Sequence, residues 1–387
     1  MLSYEVVIVG GGVVGASVAY HLAARGCRDV LVIERGAGPG AGSTGRATGG
    51  FRAQFATEVC VRLSLLSREK LLRFEDELGV DSGYRPRGYL FVTKQRALLD
   101  ALLAAQALQH ACGLEEARAV SAEEAREINP AADMEGVVGG VFCPTDGFVR
   151  PLEILSGYRW GASNLGVRSV YGVAVNGFGR ERSGRISSVL TDMGEVGARV
   201  FVNAAGAWAG EVGRLAGVAV PVRPLRRQVA LTRPFGELPE EMPMTIWADD
   251  GFHLRVRDGR VMLLMPDEPR GADPFDTTVE DEWLEGVFRV AGERVPCLKG
   301  AEVDRAACWA GLYEMSPDRH PLLGAAPEAE NFYLADGSSG HGVMHAPALG
   351  QLLAEIILDG KASALDVRAL RPSRFAEGEP NVGPEFL

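Results

Sequence analysis

The first forty residues constrain this chain more than any other segment. An apolar run over residues 4–9 enters the glycine turn Gly10-Gly11-Gly12-Val13-Val14-Gly15, and a helix-forming segment, residues 16–25, follows at once. A second apolar run, residues 29–33, ends in the acid Glu34, twenty-four positions after Gly10. Each part has a physical task in holding a dinucleotide. Gly10 permits a tight turn, Gly12 lets a pyrophosphate approach the backbone, and Gly15 lets helix and strand pack closely. The helix start offers unpaired N–H groups and a positive dipole end to phosphate. Glu34 stands near the spacing expected of the acid that grips ribose hydroxyls. Glycine turns of this pattern also serve as plain turns. Here strand, helix, second strand and acid fall in order, which favours nucleotide binding without separating FAD from NAD(P).

A length of 387 residues suggests two or three structural domains with ample core volume. The net charge of −11 argues against nucleic acid or an anionic membrane as a main partner. Six cysteines are scattered without a CxxC pair, as expected of buried thiols in an intracellular protein. The six histidines form no HExxH-like pattern, so no metal is expected. The apolar N-terminus has no basic leader, contains Glu5 and is broken by three glycines, so it reads as a first core strand rather than a secretion signal. No apolar run is long enough to span a bilayer. The expected location is the cytoplasm.

Along the chain, residues 36–45 are a glycine-rich loop and residues 58–78 an amphipathic helix stopped by Gly79. Residues 89–93 read as a strand and residues 95–112 as a helix closed by Gly113. Ser121 and Glu124 form a capping box that opens a short helix. After the turn Asp146-Gly147-Phe148, a helix starts near Pro151. Residues 199–206 form an apolar strand ending in small residues, and residues 218–305 are strand-rich. This organisation predicts two interleaved domains of an α/β fold. A nucleotide domain comprises residues 1–84, 146–217 and 306–375, and a substrate domain comprises residues 85–145 and 218–305.

The far end repeats the logic of the first turn. A strand ends in Gly337-Ser-Ser-Gly-His-Gly342, and a helix over residues 347–358 is expected, with Pro347 near its first turn. A helix start aimed at a flavin would favour the charge that hydride uptake pushes toward N1 and the C2 carbonyl. A nicotinamide enzyme has no need of such a loop, which favours FAD. The competing explanation is an ordinary turn between strand and helix.

The blocks IVGGGVVG, Glu34-Arg35, Gly42-Ser43-Thr44-Gly45, Ala204-Ala205-Gly206-Ala207-Trp208 and Gly340-His341-Gly342 occur in order across nearly the whole chain. In this it resembles the FAD-dependent amine oxidase family of D-amino acid, glycine and sarcosine oxidases. Gly311-Leu-Tyr-Glu-Met-Ser-Pro-Asp318 is most similar to sarcosine oxidases, their β-subunit relatives and dye-linked L-proline dehydrogenases. The resemblance implies an FAD domain of glutathione-reductase type beside a substrate domain on a large mixed sheet. It implies that Gly10, Gly12, Val13, Val14 and Gly15 wrap the pyrophosphate, and that Glu34 and Arg35 hold the adenosine ribose. Ser43 and Thr44, with Thr48 and Gly49 beyond them, match the loop that approaches the pyrophosphate and ribityl chain. Val175 matches a strand valine that contacts adenine. Ala205, Gly206, Trp208, Gly311 and the turn Gly340-His341-Gly342-Val343-Met344 complete the implied cofactor set.

For substrate, Arg52 matches the carboxylate-binding arginine of sarcosine oxidases, and a guanidinium suits that task. Tyr313 stands where D-amino acid and glycine oxidases place an arginine. His253 is expected on a strand lining the site and His345 beside the last turn. Each either orients substrate or is a satisfied core histidine. Three departures qualify the resemblance. Gly311 occupies the position of the cysteine that binds FAD covalently in monomeric sarcosine oxidases, and Cys308 is offset to the opposite strand face, so noncovalent FAD is expected. Met344 replaces a lysine that assists carboxylate binding. No lysine occurs at positions 261–263, where oxidases carry one linked to oxygen reactivity. The implied activity is oxidation of a secondary amino acid, foremost sarcosine to glycine and formaldehyde, with oxygen as acceptor and peroxide as product. The alternatives are a dye-linked L-proline dehydrogenase and a flavin subunit of a multi-chain sarcosine- or dimethylglycine-oxidising complex.

Overall fold

The computed structural model describes residues 2–267 and 273–383. Its first sheet has eight strands, and the central run orders Leu322–Ala326, Ala329–Asp336, Gly194–Asn203, Leu2–Val9, Val30–Glu34 and Arg168–Tyr171. All these neighbours pair parallel except the first two, which form an antiparallel edge. Leu2–Val9 lies inside the sheet, which explains why Val6 to Val9 are all buried instead of alternating. Ile186–Thr191 and Val175–Arg180 extend the sheet from the far end of Gly194–Asn203.

This topology brings the two glycine turns together. Leu2–Val9 and Ala329–Asp336 both run parallel to Gly194–Asn203, so both end on the same side of the sheet. The helices that follow, Val13–Ala24 and Gly342–Asp359, therefore begin on that side too. They also pack against each other. A Cβ on Gly350 would lie 2.1 Å from Ser17 Oγ and 2.6 Å from the Ser17 backbone, so only glycine permits this crossing. In open α/β sheets, ligands bind outside the carboxyl ends of the strands.

The second sheet also has eight strands, ordered Trp309–Met315, Arg223–Leu231, Arg260–Leu264, His253–Arg257, Met244–Trp247, Tyr89–Thr93, Gly139–Cys143 and Arg118–Val120. Met244–Trp247 and Tyr89–Thr93 pair parallel, whereas the other neighbours are antiparallel. One face carries a separate core in which Trp247, Phe252, Leu254 and Val261 meet Trp283 and Val287 of the helix Asp281–Arg294. The strand Trp309–Met315 belongs to this sheet, and a bridge from Met315 to Ser338 then joins it to the first layer. The sheet boundary thus falls after residue 315, not at residue 305.

Several local signals act as expected. The capping box is formed, with Glu124 N donating to Ser121 Oγ at 3.2 Å and Ser121 N donating to Glu124 Oε2 at 2.7 Å. Two expectations need correction. The helical stretch ending at Gly79 is two helices, Glu58–Leu72 and Phe74–Leu78, broken at Arg73. The last helix begins at Gly342, so Pro347 lies inside it and not in its first turn. Proline has no N–H to donate to the carbonyl one turn back, a defect that the flanking packing tolerates. Among the described residues, no helix is long and apolar enough to cross a membrane.

Candidate active site

One cavity of about 710 Å³ runs from Glu34 and Arg35 at one end, past both glycine turns, to Arg52, His253 and Tyr313 at the other. The end lined by Glu34 and Arg35 is shaped by the first glycine turn. Gly10 has a φ of +112°, and a Cβ there would lie 2.2 Å from Ala204 O. A Cβ on Gly15 would lie 2.0 Å from Gly10 O, so Gly15 acts through helix–strand packing and does not line the cavity. Gly12 borders open space, where a Cβ would meet only Thr44 Oγ1 at 3.3 Å. No side chain of the N-cap residue caps the helix Val13–Ala24. Instead Thr44 reaches across, its Oγ1 accepting from Val13 N at 3.1 Å, and so ties the 43–46 loop to the helix start.

Glu34 accepts from Gly11 N at 2.8 Å and from Gly36 N at 2.6 Å. A carboxylate has lone pairs to spare, so it can still accept from ribose hydroxyls. The Arg35 guanidinium sits 4.4 Å from the centre of the Trp208 ring, whose other neighbour, Phe275, stacks at 5.4 Å. Val13, Val14, Thr48, Gly49, Val175, Ala205 and Gly206 also line the cavity. So do Ser43, whose hydroxyl donates to Leu312 O at 2.8 Å, and Gly311. Cys308 does not line it, and its sulfur accepts from Leu231 N at 3.3 Å. These features fit a flavin dinucleotide: a glycine cradle, a helix start whose N-cap glycine offers no side chain to cover it, and a long cavity.

At the other end Gly340, His341, Gly342, Val343 and Met344 all border the cavity. Gly340, with a φ of +92°, lies so close to Tyr313 that a Cβ would be 2.4 Å from its ring. Arg52 is 5 % exposed, and among the described residues no carboxylate lies within ion-pair distance of it. Its Nη1 donates to Gln54 O at 2.8 Å and its Nη2 to His341 Nε2 at 3.1 Å. Its guanidinium also stacks on Phe55 at 4.2 Å. Burial pulls the Arg52 pKa down, although Tyr89 and Asp146 oppose this. Met344 supports the same residue from behind, its sulfur accepting from Arg52 N at 3.3 Å. A buried cation with no partner is costly unless something anionic joins it.

His341 can only accept from a guanidinium, so its ring is neutral with the proton on Nδ1. Burial and the Arg52 charge hold it far below the ordinary histidine range. In His253, Nδ1 lies 2.8 Å from Gly251 O and must donate, which leaves the Nε2 lone pair without a partner among the described residues. Burial, helped by Arg52 and Arg227, pulls its pKa down to about 4. Tyr313 Oη likewise has no hydrogen-bond partner among the described residues, and burial raises its pKa. His345 is fully buried, bonds Ser64 Oγ at 2.9 Å and does not line the cavity, which makes it a core histidine.

Sequence reasoning passed over the residues that hold Arg52 in place. Asp146 is buried, with one oxygen accepting from Ala53 N at 2.7 Å and the other from Gln54 Nε2 at 3.0 Å. Burial pushes its carboxyl up to about 6 against the pull of those bonds. The only signal was an acid in the turn before Gly147, and nothing local linked it to residues 53 and 54. Phe55 was likewise not recognisable as the ring beneath Arg52.

The family model described as FAD dependent oxidoreductase (DAO) matches residues 5–356. The FAD-dependent oxidoreductase domain-containing protein 1 of Bos taurus is 31 % identical over 97 % of this chain and 85 % of its own. The mitochondrial dimethylglycine dehydrogenase of Rattus norvegicus is 31 % identical over 96 % of this chain and 45 % of its own. The crystal structure of L-proline dehydrogenase from P. horikoshii superposes with a TM-score of 0.90 and 32 % identity, over 98 % of this chain and all of that one. With its glycine cradle, its parallel nucleotide sheet and its mixed second sheet, the chain belongs to the DAO family of FAD dependent oxidoreductases.

Proposed function

We propose that this enzyme oxidises a secondary amino acid, with sarcosine as the leading substrate, and that Arg52 holds the substrate carboxylate. The observation that carries this reading is a buried guanidinium without a carboxylate partner among the described residues, set beside the 340–344 turn in the shared cavity. Two of its five N–H donors are spent on Gln54 and His341, which leaves a fork able to take a carboxylate in two bonds. Among the described residues, Tyr313 Oη, His253 Nε2 and Tyr89 Oη are cavity-lining polar atoms without a hydrogen-bond partner, and the first two are suited to orienting the amine. The His253 lone pair can accept an N–H and so fix the direction of the amine. FAD, when bound, supplies the hydride acceptor. Gly10 to Val14, Glu34, Arg35, Ser43 and Thr44 would hold its dinucleotide part, and residues 340–344 its ring. We take the FAD to be noncovalent, since Gly311 offers no thiol and Cys308 points away. Acid precipitation should leave the yellow colour in the supernatant, and colour retained by the pellet would refute this.

L-proline is the second reading, favoured by the likeness to the P. horikoshii enzyme. The acceptor follows the substrate question. Oxygen was the expectation, but Val261, Met262 and Leu263 are fully buried and none is a lysine, which favours a dye- or quinone-like acceptor. A cytoplasmic location belongs to the same proposal and is supported by six unpaired cysteines. The test is anaerobic bleaching of the flavin by sarcosine, N-ethylglycine, L-proline and D-alanine, followed by comparison of peroxide release with dye reduction. Bleaching by D-alanine alone would sink the secondary-amine reading. Bleaching that requires a second protein would instead make the chain a subunit of a larger complex.

A further inference from the structure

The substrate end of the cavity holds a second guanidinium that oxidation of a simple N-methyl amino acid does not use. Arg227 lies on the strand Arg223–Leu231 opposite Gly311, and Leu225 lies opposite Tyr313. Residues two apart share a strand face, so Arg227 and Tyr313 are diagonal neighbours on one side of the sheet. The guanidinium centre is 5.9 Å from the Tyr313 ring. Gly311, directly across the ladder, has no side chain of its own, and Arg46 packs over it, with Arg46 Cβ 3.2 Å from where a Gly311 Cβ would stand.

Arg227 is anchored on one edge and open on the other. Its Nη1 donates to the backbone carbonyls of Arg226 at 3.2 Å and Asp267 at 3.0 Å. Its Nε and Nη2 make no hydrogen bond among the described residues, and the residue lines the cavity. An Nε–Nη2 edge is the fork that takes a carboxylate in two parallel bonds.

Among the described residues, no acid occupies that edge. Asp267 Oδ1 stays 3.8 Å from Nη1, beyond hydrogen-bond range, while Oδ2 accepts from Gln228 at 2.8 Å. Asp276 and Glu280 are drawn to the buried Arg226. None of these three carboxylates lines the cavity. Among the acids that do line it, Asp318 is paired with Arg374 and Glu314 accepts from Ser338 N at 3.2 Å. Arg52, Arg227, His253 and Tyr313 all line the same cavity, so the two cations border one space.

We infer that Arg227 forms a second anion subsite, which moves the preference within the secondary amino acids from sarcosine to one bearing a second carboxylate, one carboxylate at Arg52 and the other at Arg227. This rests on the amine-oxidation reading above. Sarcosine and iminodiacetate are both N-substituted glycines and differ by one carboxylate, which makes them the matched pair for the test. With the FAD-loaded enzyme under anaerobic conditions, kcat/KM for flavin bleaching should favour iminodiacetate by at least about tenfold, the worth of one good charge-assisted contact. In Arg227→Gln that ratio should fall by about tenfold or more, mainly through KM. Thiodiacetate, which has no amine to oxidise, should perturb the flavin absorbance at lower concentration than methylthioacetate. Equal or better bleaching by sarcosine overturns the subsite while leaving amine oxidation standing, as does a ratio unchanged in Arg227→Gln. Failure of sarcosine, L-proline and iminodiacetate alike would overturn both readings.

Discussion

Replacing Arg52 by methionine separates substrate binding from folding, because the two should move differently. The arginine now donates to Gln54 O and His341 Nε2 and stacks on Phe55. Losing two such bonds costs about 2–4 kcal/mol, counting the acceptors left behind. Against this, burying an unpaired guanidinium carries a penalty of roughly several kcal/mol, which methionine removes. The balance lies near zero, so Arg52→Met should unfold in denaturant within about 2 kcal/mol of the parent, on either side. Binding of a carboxylate should suffer far more. Truncating one partner of a buried, hydrogen-bonded charge pair costs about 2–5 kcal/mol, or roughly 30-fold to several-thousand-fold in the half-saturating concentration. The assay pairs anaerobic bleaching kinetics with chemical denaturation of the same FAD-loaded preparation. Unchanged KM would remove Arg52 from the substrate site. A large stability loss with loss of bound flavin would mean that Arg52 is a structural cation.

Three further variants probe the frame. In Gly340→Ala the added Cβ meets the Tyr313 ring at 2.4 Å in a left-handed backbone, so stability should fall by roughly 2–4 kcal/mol and FAD should be lost on gel filtration, whereas a parent-like variant would refute the close approach. Desolvation raises the Asp318 pKa, but bonds from Arg374 and Asn381 outweigh it and hold the carboxyl well below its usual range. Its stabilisation is therefore full above the unfolded pKa near roughly 3.9 and is lost as pH falls toward the folded value. Asp318→Asn should cost about 3–5 kcal/mol at pH 7, a gap that narrows in acid, and a gap that widens below pH 4 would show the pairing to be misread. With a pKa of about 4, His253 is neutral throughout the working range, so kcat/KM should show no inflection near pH 6.5 that His253→Asn abolishes.

Much of the nucleotide half was legible because its constraints are local. The turn Gly10–Gly15 needs particular residues at fixed offsets, and the acid that follows is set by the length of one βαβ unit. The Ser121 capping box is likewise satisfied within four residues. The substrate half was legible in part, since Arg52, Tyr313 and His253 were reached through resemblance and not through their surroundings. What escaped depends on contacts distant in sequence. Asp146 fixes Ala53 and Gln54 from 93 and 92 positions away, and Arg227 acquires meaning only from its register against Gly311 and Tyr313. The start of the last helix was missed for a different reason. Proline at position 347 suggested a first turn, but tertiary packing against Val13–Ala24 carries the helix back to Gly342.

The most direct test of the account is a crystal structure of the FAD-loaded enzyme with a non-reducible carboxylate in the cavity. The pyrophosphate is expected at Gly10 to Val14, the flavin ring against residues 340–344, and the carboxylate in a two-bond contact with Arg52. A flavin ring remote from the 340–344 turn, or a carboxylate bound elsewhere with Arg52 untouched, would contradict it.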